Sequence, residues 1–228
     1  MNKTYEIEKK YLFNSVSEAR GWMASTRFSW KRIGIIQWYV DVPFNTDRSS
    51  RIRYQAEYEG TRLIERWIYG KKTVINGDLE KRIEEEKEFL PATVTEDLPF
   101  LDPIIIRKIE TGNLDAFPAI QKMRYRMESR ELHLPESEIV MDFFLYPEYL
   151  KESTVILEVE LKNTGITTDT DSLFGIISYS LSFSSICEEV TRNRNYTNHA
   201  LARNASEMGI PPLNATLAIE ITKRFLSE

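Results

Sequence analysis

The sequence predicts a mostly β protein of the α+β class, built from antiparallel strands whose sheet curls or closes on itself. Three observations carry that prediction. Period-2 alternation recurs over residues 4–13, 33–42, 50–58, 62–72, 81–89, 118–130, 138–145 and 154–162, and this period marks strands. Helical patterns are few and short. The polar faces of six of these strands are ionic, while the opposite faces are strongly apolar and need more cover than a few helices supply. Closing the sheet into a barrel meets that need.

The first strand carries Glu6, Glu8 and Lys10 on one face and Tyr5, Ile7, Tyr11 and Phe13 on the other. Ser17 is placed to cap a short helix running to about Ser25, with Glu18 in its first turn. The second strand is the alternating run 33–42, which contains Gln37 and Asp41. The third offers Arg51 and Arg53, and the fourth ends in Lys71 and Lys72, of which one shares a face with Tyr69. Arg82, Glu84 and Glu86 follow on the fifth. Residues 91–117 contain Pro91, Pro99, Pro103 and Gly112 and read as irregular, with one short helix. The sixth strand offers Lys122, Arg124 and Arg126. The eighth repeats the E-x-E-x-K spacing as Glu158, Glu160 and Lys162, opposite Val155, Leu157, Val159 and Leu161. Asp171 is placed to cap a helix running to about Leu181. Pro211 and Pro212 precede a last helix, about Asn214 to Phe225, whose expected apolar face is Leu217, Ile219, Ile221 and Phe225.

Composition narrows the function. The 228 residues hold 30 Lys and Arg against 35 Asp and Glu, a net charge of −5, which disfavours a general nucleic-acid binder. Cys187 is the one cysteine, so an intramolecular disulfide and a cysteine zinc site are excluded; it is expected to be a small buried hydrophobe. His133 and His199 lack metalloprotease spacing and are expected in loops or at the surface. Any metal should therefore be a hard ion held by oxygens. The opening MNKTYEIEKKYLF has no long apolar run, so no signal peptide or membrane span is expected, and a cytoplasmic protein is. The sequons at Asn2, Asn195, Asn204 and Asn214 are then chance matches.

Each ionic face taken singly reads as a solvated surface. Together the six describe one concave site of mixed sign. Carboxylates at i and i+2 on facing strands offer an oxygen cage for Mg²⁺ or Mn²⁺. Arginines at the same spacing offer forked donors for phosphate oxygens, with lysines as point charges. Five or six bases exceed the needs of one phosphate and suit a triphosphate. Such a cluster of carboxylates should repel itself without metal, so loss of Glu8 or Glu160 is expected to leave the metal-free protein as stable as before or more so.

Segment by segment, the chain resembles the CYTH superfamily of triphosphate tunnel metalloenzymes. EIEKKYLF resembles its E-x-E-x-K signature, and IIQWYV (35–40) its second strand. RIR (51–53), YGKK (69–72), RIEEE (82–86) and QKMRY (121–125) resemble its R-x-R, T-x-K, R-x-E-x-E and K-x-R-Y strands. VMDFFL (140–145) resembles the strand with a single Asp, here Asp142, and ILEVELK (156–162) the E-V-E-F strand. EEVTRNRNYTNHALA (188–202) is similar to the closing E-V-T-x-D-x-R-Y-x-N-x-A-L-A segment.

The resemblance implies an eight-stranded antiparallel tunnel over residues 1–203, with 204–228 as a helical extension packed on the same domain. It implies Glu6, Glu8, Glu84, Glu86, Asp142, Glu158 and Glu160 as ligands of one or two Mg²⁺ or Mn²⁺ ions. Arg51, Arg53, Lys71, Lys122, Arg124 and Arg194 are implied as triphosphate contacts, Lys71 being preferred to Lys72 by continuous alignment. Lys10, with Glu8, is implied on the catalytic side as a base or water-orienting group. The implied activity is metal-dependent hydrolysis of an inorganic, nucleoside or other organic triphosphate. A class IV adenylyl cyclase and a non-catalytic nucleotide- or polyphosphate-binding module are the alternatives. A triphosphate-bearing small molecule is the expected partner, RNA enters only as a 5′-triphosphate end, and homodimers occur in the family.

Overall fold

The structure, a computed structural model, describes residues 2–41, 47–128, 137–146, 151–162, 170–207 and 214–228. Eight strands carry the architecture: β1 (Asn2–Phe13), β2 (Trp30–Tyr39), β3 (Arg48–Glu59), β4 (Arg62–Ile75), β5 (Asp78–Phe89), β6 (Ala119–Met127), β7 (Ser137–Tyr146) and β8 (Lys151–Lys162). Their order is β5-β4-β3-β2-β6-β7-β8-β1, and β1 pairs back onto β5 through Asn2–Ile7 and Lys81–Glu86, closing an antiparallel barrel. Short turns explain the local pairings; between β4 and β5, Asn76 and Gly77 both take positive φ, as a tight hairpin of the primed type requires.

A ninth, three-residue strand, β9 (Cys187–Glu189), was not expected; it pairs with Tyr11–Phe13 of β1. It is too short to show alternation. Cys187 is half-buried there, its thiol donating to the Phe183 carbonyl at 3.0 Å.

Six helices are described: α1 (Val16–Ser25), α2 (Val94–Asp97), α3 (Pro103–Glu110), α4 (Thr170–Leu181), α5 (Asn198–Glu207) and α6 (Ala215–Ser227). The cap of α1 is Ser15 rather than Ser17: its hydroxyl accepts from the Glu18 N–H at 3.1 Å, the S-x-x-E arrangement of a capping box. Asp171 lies in the first turn of α4. The 91–117 region contributes α2 and α3, and its Val94, Leu98, Ile109 and Leu114 are buried in the main core. His133, Pro211 and Pro212 lie outside the described residues.

The expected face of α6 is corrected. Ala215, Ala218, Thr222 and Leu226 are its buried residues, whereas Leu217 is 55% exposed. The helix lies so close to β2 that a Cβ on Gly34 would stand 2.1 Å from Thr222 Cγ2. Small side chains therefore make the contact, and bulkier Ile219 and Phe225 flank it. Gln121 Nε2 donates to the Ala218 carbonyl at 3.0 Å and to Thr222 Oγ1 at 2.9 Å, and Arg32 donates to the Phe225 carbonyl at 2.7 Å.

The main core fills the space between the barrel's outer face and these helices. A second apolar cluster lies at one end of the lumen: Tyr39, Ile120, Phe144, Ile156 and Ala202, flanked by Leu12, Tyr196 and Leu201. Apart from Tyr39, its barrel residues continue ionic stripes, as in Glu6-Glu8-Lys10-Leu12, Glu160-Glu158-Ile156 and Arg124-Lys122-Ile120. The stripes turn apolar where α5 enters, and α5 stoppers that end. Residues 198–207 carry no clear helical signal in the sequence, because their polar pattern with Leu201 and Ala202 has too little apolar periodicity.

Candidate functional site

Because side chains alternate along each strand, the inward faces of six strands assemble into one cavity of about 350 Å³. Lys10, Arg51, Arg53, Lys72, Arg82, Arg124, Glu84, Glu86, Glu158 and Glu160 all line it. Toward its α5 end it meets Arg194, Asn198, His199 and Arg203; elsewhere Ile33, Ile35 and Ile68 add apolar wall.

The acidic strands meet side by side. Glu8 of β1 lies directly across from Glu160 of β8, and Lys10 across from Glu158. The Lys10 ammonium contacts Glu8 at 2.5 Å and also pairs with Glu158. Lys72 lies 2.9 Å from Glu6 and 3.1 Å from Glu8. Arg82 reaches Glu8 at 2.5 Å. Next to β1 on β5, Glu84 pairs with Arg51, which also reaches Glu86 at 3.3 Å, and Arg53 reaches Glu86 at 3.1 Å. Arg124 bonds Asp142 at 2.7 and 2.8 Å and Glu158 at 2.7 Å, while Lys122 pairs with Asp142.

Burial splits these groups electrostatically. Burial pushes the Glu6 carboxyl up to about 8, with Glu160 and Glu84 adding to the rise against Lys72. Burial likewise pushes Glu160 up to about 7, aided by Glu8, Glu138 and Glu158. Burial acts on Glu8 in the same sense, but Arg82, Lys10 and Lys72 outweigh it and hold Glu8 well below the carboxylate range. Asp142 is also held low, since Arg124 and Lys122 overcome its burial. Lys122 falls to about 8, chiefly through burial.

The residues expected at the site thus converge, with two corrections. Lys72, not Lys71, carries the lumen ammonium. Register decides it: Lys72 stands across from inward Glu84, and Lys71 across from Glu85, on the outer face. Asp142 is the anionic partner of Lys122 and Arg124 rather than a member of the Glu6, Glu84 and Glu160 group. Arg194 lines the cavity from its rim, 47% exposed and 3.4 Å from Asp47. Of the residues not singled out beforehand, Arg82 was legible as the first member of R-x-E-x-E. His199, whose ring lies 4.9 Å from that of Tyr39, carried no sequence signal.

Among the described residues, no three carboxylate, histidine or cysteine side chains are gathered at metal-ligand spacing. The donor chemistry nevertheless fits a hard divalent ion. Glu6, Glu84 and Glu160 supply only oxygens, Glu84 and Glu160 raise the proton affinity of Glu6, and Glu6 Oε2 has no hydrogen bond of good geometry despite Lys72 nearby. A cation among them would relieve that repulsion.

Neither a protein-family model nor a curated protein sequence matches the chain. Solved structures do. HpAC1 from Hippeastrum, named as a candidate adenylyl cyclase with a dominant triphosphatase activity, superposes with TM-score 0.54 at 17% identity, over 88% of this chain and 96% of that one. The PH1819 protein of Pyrococcus horikoshii OT3 gives 0.48 at 16% identity, over 80% and 93% of the two chains. A chain of the Schizosaccharomyces pombe Mediator head module gives 0.44 at 11%, over 81% and 97%. The last two are too distant to carry weight. The Hippeastrum likeness establishes the fold alone.

Proposed function

We propose that this barrel is a divalent-metal-dependent triphosphatase of the CYTH kind. One observation carries the reading: a closed lumen is lined by Arg51, Arg53, Lys72 and Arg124 together with Glu84 and Glu160, and buried Glu6 and Lys122 join the same charge network through Lys72 and Asp142. So much buried charge of both signs costs stability that an apolar lumen would not. Recognition of a polyanion together with cations accounts for it. The triphosphatase activity named for the Hippeastrum neighbour agrees with this reading.

In the proposed reaction the bases leave their carboxylate partners for the phosphate oxygens, which they hold and orient. They also face the charge that develops there as the P–O bond breaks, the main source of catalysis in phosphoryl transfer. Glu6, Glu84 and Glu160, freed of those partners, would hold Mg²⁺ or Mn²⁺. The ion supplies Lewis-acid neutralisation of the phosphate charge. Lys10, held by Glu8 and Glu158, orients the attacking water.

Inorganic triphosphate, ATP, GTP, thiamine triphosphate and triphosphorylated RNA, each with Mg²⁺ and with Mn²⁺, are to be scored for phosphate, pyrophosphate and cyclic nucleotide. Phosphate release that a chelator abolishes is expected. Turnover undiminished in metal-free buffer overturns metal dependence; cyclic AMP from ATP makes the protein a cyclase, and binding without any product makes it a binding module. Within the active assay, Lys72→Met should raise KM about 10- to 100-fold, the loss of about 1.5–3 kcal/mol for a bond to a charged group. Lys71→Met should change it little.

A further inference from the structure

Strand β1 has an interrupted edge. Residues Asn2–Ile7 pair with β5 and Tyr11–Phe13 with β9, so Lys10 falls between the two ladders. Buried backbone groups need partners, and at Lys10 the closing segment supplies both. The Lys10 N–H donates to the hydroxyl of Thr191 at 3.0 Å, and the Val190 N–H donates to the Lys10 carbonyl at 2.8 Å. Thr191 is 2% exposed, and its hydroxyl in turn donates to Glu189 Oε1 at 3.1 Å. A side chain thus stands in for a missing strand at one residue, and that residue bears the ammonium between Glu8 and Glu158.

We propose that Thr191 is a positioning residue for Lys10: its hydroxyl sets the backbone from which the Lys10 ammonium reaches the attacking water. The inference rests on the role of Lys10 in the proposed hydrolysis. Thr191 does not line the cavity, so it acts on the placement of Lys10 and not on triphosphate binding. Misplacement by a fraction of an ångström acts on kcat, because reaction geometry is steeper than binding.

The test compares Thr191→Val, which keeps the shape and removes the acceptor, with Thr191→Ser, which keeps the acceptor. Inorganic triphosphate with Mg²⁺ or Mn²⁺ is the probe, and Lys10→Met is assayed alongside. Thr191→Val is expected to lower kcat about 10- to 100-fold with KM within about twofold, and Thr191→Ser to restore kcat to within about threefold of the parent. A folded Thr191→Val with parental kcat, or a Thr191→Ser as impaired as the valine variant, overturns the proposal. Parental turnover by Lys10→Met instead refutes the role of Lys10, and with it the reading on which the proposal stands. Should Thr191→Val fail to fold, Glu189→Ala on exposed β9 decides: it frees the hydroxyl that holds Lys10, so a lower kcat at unchanged KM supports the proposal and parental kcat overturns it.

Discussion

Glu8 and Glu160 face one another across β1 and β8, yet their surroundings hold them in opposite states. Glu8 has Lys10, Lys72 and Arg82 around it and stays ionised; Glu160 is buried among carboxylates and holds its proton up to about 7. The expectation that both belong to one self-repelling cluster therefore divides. Glu8→Gln strands buried cations and should lower the stability of the metal-free protein by about 3–5 kcal/mol, the cost of deleting one partner of a buried pair. Glu160→Gln removes a charge that burial opposes, and at pH 8 should leave stability unchanged or raise it. Thermal melting of both variants in chelator at pH 8 checks this; equal losses in the two would show that Glu160 is as firmly paired as Glu8.

At the scale of elements, α6 depends on a missing side chain. Gly34 lets the helix approach β2, and Thr222 occupies the space a Cβ would need. Thr222 cannot swing aside freely, because its hydroxyl accepts from Gln121. Gly34→Ala should therefore cost about 1–3 kcal/mol, typical of overpacking in a dense contact. Thr222→Ser removes the clashing methyl and keeps the hydroxyl, so the double variant should recover most of the loss. A double-mutant cycle on melting temperature measures it, and additive losses would place the strain elsewhere. The same economy explains why the apolar residues of this helix misread its orientation: Leu217 and Ile221 advertise a face, but the close approach selects Ala215, Ala218 and Thr222.

For the whole molecule, the lumen should make stability depend on pH with a definite sign. Glu6 and Glu160 titrate at about 8 and about 7 in the folded protein, above the ordinary glutamate value of about 4.3. Their protonated forms contribute stability that is full below that ordinary value and is lost as pH rises through 7 and 8. Glu8, Glu84 and Asp142 are held low and act in reverse: their contribution is present at neutral pH and is lost as pH falls through their depressed values. The metal-free protein should therefore be most stable in mild acid. Its stability, followed by melting temperature, should fall between about pH 5 and pH 8, by at most about 1.4 kcal/mol per pH unit for each titrating group. A Glu6→Gln, Glu160→Gln double variant should flatten that decline, and an unchanged slope would assign it to other groups.

Local chemistry determined most of the barrel. Alternation marked all eight of its strands, and the charges on Glu6, Glu8, Arg51, Arg53, Glu84, Lys122, Arg124 and Glu158 were readable as one stripe per strand because side chains repeat every two residues. That same period leaves two faces and no label on either. Whether Lys71 or Lys72 enters the lumen was settled by the register of β4 against β5, a property of the pair and not of the segment. Lys72 lowers both Glu8 and Glu160; what sets Glu8 apart is Arg82, which lies far along the chain and arrives only when β1 closes on β5, together with its own neighbour Lys10. Thr191 reaches Lys10 across 181 positions of sequence. A strand records which of its residues share a face; what each face meets is decided by pairing between distant segments, and there the tertiary structure alone decides.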